Sequence, residues 1–103
     1  MHELIATWGK HVFTVGLPDT VFCDFPGVYI FAGSKAEGEW VAEYIASTES
    51  LQHSLFQHCL WDKAVRRSAT HVHVMAVTTA SEGQSVAHSL IDEFEPWLNS
   101  PGG

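Results

Sequence analysis

A chain of 103 residues suits one domain and has little length for a second. An apolar share of 46% and an aromatic share of 12% place it with chains that build a packed core and exclude the disordered class. Five Lys and Arg against twelve Asp and Glu give a net charge of −7, which argues against a role built on gripping nucleic-acid phosphates, because clustered cations supply most of that affinity.

The acidity is concentrated early. Glu3, Asp19, Asp24, Glu37, Glu39, Glu43 and Glu49 face only Lys10 and Lys35 in the first half. Residues 1–25 carry Trp8, Phe13, Leu17, Val21 and Phe22 in no clean period, broken by the turn signal Gly16-Leu17-Pro18-Asp19, and are expected to form an irregular arm packed on the domain. Residues 28–32, β-branched and aromatic between Pro26-Gly27 and Gly33-Ser34, predict a short buried strand. A second strand is expected over residues 40–46, joined to the first by a small, polar hairpin loop.

The period then changes. Leu51, Leu55 and Cys59 recur every fourth residue behind Ser and Thr positions fit for an N-cap, so a helix is expected there, followed by a second short one over Trp61 to Ser68. Within it Lys63, Arg66 and Arg67 form the one basic cluster, spaced to share a helix face as a solvated surface or as a substrate contact. Residues 71–77 alternate with Val72, Val74 and Ala76 on one side and predict a third strand. Val86, Ala87, Leu90, Ile91 and Phe94 make the apolar stripe of a last helix that must stop before Pro96.

The expected order β-β-α-α-β-α implies an α+β domain over residues 26–99, with a three-stranded, mostly antiparallel sheet flanked by helices, and a tail over 100–103. Cys23 and Cys59 lack zinc-ligand spacing, and the start lacks the pattern of a secretory signal, so free thiols and a cytoplasmic protein are expected. No apolar run approaches the ~20 residues that cross a bilayer.

Gly27-Val28-Tyr29 and Tyr44-Ile45-Ala46 resemble the two triplets that name the GIY-YIG nuclease superfamily. Downstream positions keep the family register. His58 lies fourteen residues after Tyr44 at the family's His or Tyr position, Leu90-Ile91 match its Leu-Ile pair, and Asn99 falls at its Asn after Phe94-Glu95-Pro96. The resemblance covers about residues 26–99 and implies a fold with Tyr29, Tyr44, His58 and Asn99 at catalytic positions.

Ala46 stands where the second triplet has Gly, and two catalytic positions depart from the family as well. The family's catalytic Arg falls on Ser54 and its metal-binding Glu on Ala87. Ser carries no fixed charge for a phosphodiester, and Ala offers no oxygen to Mg²⁺, which needs hard ligands. The expectation is therefore a catalytically degenerate domain without a cofactor, acting as a protein-binding or regulatory module. Its partner would be another protein or a second copy, with Trp8, Phe13 and Phe22 as a candidate surface. The competing expectation is an active Mg²⁺-dependent endonuclease with displaced groups, Arg66 or Arg67 serving as the cation and Asp92 or Glu93 as the metal ligand. The pairs His53 with His58 and His71 with His73 are further candidate chelators, without the Cys or carboxylate to complete a shell.

Overall fold

The computed structural model describes residues 4–34, 39–56 and 58–99. In chain order they form β1 (Ile5–Trp8), β2 (His11–Gly16), β3 (Gly27–Ser34), β4 (Trp40–Thr48), α1 (Leu51–Leu55), α2 (Trp61–Arg66), β5 (His71–Ala76) and α3 (Ala80–Phe94), closed by a 3-10 turn at Trp97–Asn99. The architecture is α+β, and the order predicted for residues 26–99 matches the observed one.

The strand count does not. The sheet has five strands in the order β1-β2-β5-β3-β4, every neighbouring pair antiparallel, rather than three. The two additional strands come from the expected arm, where Gly9 at φ +60° allows a two-residue turn between Trp8 and His11. Strand β2 then pairs with β5 through Thr14↔Val74, Val15↔His73 and Gly16↔Val72.

Strand β3 lies inside the sheet between β5 and β4 and is buried from Gly27 through Gly33, because both faces of the sheet are covered there. On one face α3 lays Ala87 and Leu90 against Val28, Ile30, Ala32 and Ile45, with Trp8 and Phe13 of the N-terminal hairpin beside them. On the other face α1 and α2 bring Leu51 and Ala64 to Tyr29, Phe31 and Val72. Alternation along β3 thus assigns Val28 and Ile30 to one layer and Tyr29 and Phe31 to the other. Two glycines let the helical side close up. A Cβ at Gly27 would lie 2.7 Å from a Leu51 methyl, and one at Gly33 would lie 2.2 Å from the Ser68 carbonyl oxygen.

Caps fix the helix ends. Ser50 Oγ accepts from the His53 amide at the start of α1, and Thr79 Oγ1 accepts from the Glu82 amide at the start of α3. Glu95, in the left-handed region at φ 46°, ends α3 and is followed by Pro96. Helix α1 is shorter than its period predicts, ending at Leu55, with Phe56 already extended. Among the described residues no helix is long and apolar enough to cross a membrane.

Candidate functional site

Tyr29 on β3, Tyr44 on β4 and His58 in the connection between α1 and α2 converge on the face of the sheet that α1 and α2 cover. Tyr44 stands opposite Phe31 in the β3–β4 ladder and so shares the face of Tyr29. The ring centroids are 6.2 Å apart for Tyr29 and Tyr44, 5.4 Å for Tyr29 and His58, and 5.8 Å for Tyr44 and His58. Three side chains picked out by register are therefore one cluster in space.

The protonation pattern of the cluster follows from its hydrogen bonds. The Leu60 amide donates to His58 Nδ1 at 3.0 Å, so that nitrogen carries no proton in the neutral ring. His58 Nε2–H consequently donates to Tyr29 Oη at 2.7 Å. The Tyr29 hydroxyl, already accepting, has its own proton left for an acceptor outside this pair. Burial, reinforced by Tyr44 and the Cys59 thiol, raises the Tyr29 hydroxyl well above an ordinary phenol. Burial and Cys59 raise Tyr44 as well, and burial lowers His58 below an ordinary imidazole. Near neutral pH the cluster is uncharged, and it offers donors rather than a base.

The position that would bear the cation is occupied differently. Ser54 is half-buried, and its hydroxyl makes a short hydrogen bond with Thr48 Oγ1 at the end of β4. Thr48 Oγ1 also donates to the Ser50 carbonyl at 3.0 Å. Ser54 is thus part of the joint between β4 and α1. In a helix running through Cys59, His58 would stand one turn beyond Ser54 on the same face. Because α1 stops at Leu55, His58 instead sits in the following turn, held by Tyr29 and the Leu60 amide.

Ala87 lies in the apolar layer on the opposite face of the sheet, packed with Leu90 among the β3 and β4 side chains. The structure does not bring it to the tyrosines. Asp92 and Glu93 are exposed on the same helix, and Glu93 lies beside Gly9 in the β1–β2 turn. Among the described residues no group of three or more His, Cys, Asp and Glu side chains could hold a metal ion. Two phenols and a neutral imidazole, without a carboxylate, do not fit Mg²⁺.

Asn99 has a different neighbour from the tyrosines. Its Oδ1 accepts from the Ile45 amide and its Nδ2 donates to the Ile45 carbonyl, both at 2.8 Å. It therefore behaves as a one-residue strand on the outer edge of β4. Arg67, just past the end of α2, is also committed. Its Nε lies 3.3 Å from Glu43 Oε2, and its guanidinium lies 4.5 Å from the Trp97 ring centroid. Glu43 is buried at the bulge where β4 skips a residue against Phe31 and Ala32, and its Oε2 makes ion contact with Arg67 without hydrogen-bond geometry. Lys63 and Arg66 are exposed on α2. The expected basic face therefore has one member turned inward to a carboxylate.

Of the histidine pairs, the first separates and the second, His71 with His73, stays together on β5. His53 is exposed and 4.0 Å from Asp24, away from the bond that holds His58. His73 is fully buried under α3, where its Nδ1 accepts from Trp8 Nε1 at 2.8 Å, and the Trp40 ring stands against both His71 and His73 at 5.2 and 4.5 Å. Burial, with His71 nearby, lowers the His73 imidazole to about 4.

One feature of the site escaped the sequence reading. A cavity of about 410 Å³ opens beside His58, walled by Phe31, Trp61, Asp62 and Cys59. Trp61 had registered only as a helix start, and its T-shaped contact with Phe31 at 5.0 Å depends on two elements 30 residues apart. Comparison with protein-family models, curated proteins and solved structures found no match to this chain.

Proposed function

We propose that this chain is a degenerate GIY-YIG-like domain that has exchanged phosphodiester cleavage for binding another protein. The observation that carries the reading is the make-up of the Tyr29–Tyr44–His58 cluster, two phenols and an imidazole packed together with no charged side chain among them. The order of elements over residues 26–99, the two triplets and His58 resemble the nuclease family, yet the three clustered side chains include no cation for a phosphate and no carboxylate for a metal, and Asp62 in the adjoining cavity stands without a second acid. Ser54 is tied to Thr48, and Arg67 is occupied by Glu43. Losing one preorganised electrostatic contact costs about 10²–10³ in rate, and the metal ligand comes on top of that. A surface at −7 further opposes a polyanionic substrate.

The test is an incubation of purified protein with plasmid, single-stranded DNA and RNA in Mg²⁺ and in Mn²⁺. No cleavage is expected, and DNA retention should be slight and vanish with modest salt. Cleavage that disappears in Tyr29→Phe would overturn the reading and favour an active enzyme with displaced groups.

A further inference from the structure

Two bays open on the helical side of the molecule, and they share Pro18 and Leu55. One is the cavity beside His58. The other, about 670 Å³, runs between the segment after β2 and helix α1, over Val21, Phe22 and Phe56. Val21 is 83% exposed and Phe56 75% exposed, so large apolar side chains stand in solvent around it.

The bays differ in chemistry. The larger is apolar, with Asp19 in its wall. The smaller has a carboxylate, Asp62, in its wall together with the rings of Phe31 and Trp61. Aromatic walls with a carboxylate suit an ammonium or guanidinium group. His58, lowered by burial, adds no opposing charge near neutral pH. Among the described residues no Lys or Arg lines either bay.

We infer that the joined bays form a docking trough for a basic peptide segment of a partner protein. A large apolar side chain would fill the bay over Phe22 and Leu55, and a Lys or Arg side chain would enter the bay at Asp62 and Trp61. The inference rests on the protein-binding reading above and gives that partner its chemistry. Charge selects the occupant. A second copy would set Asp19 and Asp62 against its own acids and bring together two molecules of −7, whereas a basic segment meets complementary charge.

The test is selection from a random 12-residue peptide display library on the folded wild-type protein, followed by calorimetric titration of the synthetic consensus peptide. The expected consensus places Lys or Arg within a few residues of Leu, Ile, Phe, Met or Trp. Asp62→Asn should weaken that peptide about fivefold or more, and Phe56→Ser about tenfold, with both variants folded by circular dichroism because both sites are exposed. Doubling the salt concentration should weaken the wild type more than Asp62→Asn. An acidic consensus, no enrichment, or equal binding by wild type and Asp62→Asn/Phe56→Ser would overturn the trough. So would a dimer in light scattering that dissolves on Phe56→Ser, since the occupant would then be a second copy. The nuclease assay decides the parent reading separately: an inert protein without peptide enrichment sinks only the trough, whereas an active one overturns the degenerate-module reading and the trough with it.

Discussion

Replacing Asn99 by Ala separates a structural asparagine from a catalytic one. The carboxamide makes two hydrogen bonds of 2.8 Å to the backbone of Ile45, whose side chain is fully buried. A typical hydrogen bond contributes about 0.5–1.5 kcal/mol net, so the pair is worth roughly 1–3 kcal/mol, toward the lower end if water reaches the exposed edge of β4. For a domain of this size that is a fall in melting temperature of roughly 5–15 °C. The site-specific readout is hydrogen exchange of the Ile45 amide, which should speed up far more than that of amides in β3. Asn99→Asp should not restore protection fully, because a carboxylate can accept from the amide but cannot donate to the carbonyl. Unchanged melting and unchanged Ile45 exchange would refute the assignment of Asn99 as an edge clamp.

Arg67→Ala removes the cation facing buried Glu43 and should cost about 1–3 kcal/mol in urea unfolding, less than a fully buried pair because the arginine side is partly exposed; adding Glu43→Gln should recover much of the loss, and additive effects would contradict the coupling. His73 has a folded pKa of about 4, below the usual imidazole value, so the unfolded chain binds the extra proton between the two. Stability from this group is complete above pH ~6.5 and falls as pH drops toward 4, by on the order of 3 kcal/mol at the bottom of the window. An NMR titration in which the His73 ring is already protonated at pH 6 would contradict this.

Legibility followed the number of faces that each segment buries. Residues 27–34 and 40–48 announced themselves because β3 is covered on both sides, so its apolar run is continuous and ends at glycines. The β1–β2 hairpin was hidden because Ile5 and Val12 are apolar yet exposed while Ala6, Trp8 and Phe13 point inward, which erases the two-residue period. Helix α1 was over-extended for a related reason. The Leu51, Leu55, Cys59 period continues in sequence, but a helix of five residues is too short to sustain itself, and the bond from His58 to Tyr29 decides where the chain goes. Tyr29, Tyr44 and His58 meet in space, and only the GIY-YIG resemblance had singled them out together in the sequence. The roles of Asn99 and Arg67 were not readable there, since each depends on a partner from a distant element, Ile45 for the first and Glu43 for the second.

The placement of β5 between β2 and β3 also bears on how the chain reaches its fold. Strands β3 and β4 are neighbours in sequence and can pair early, as can β1 with β2, but the two hairpins share no ladder. Within the sheet they are joined through β5, whose contact with β2 spans 60 residues at Thr14↔Val74. During synthesis the N-terminal hairpin therefore emerges long before the strand that receives it, and closing that loop is the entropically expensive step. Substitutions in β5 such as Val74→Ala are expected to slow folding more than equally destabilising ones in β1, because β5 is the seam on which the sheet is assembled.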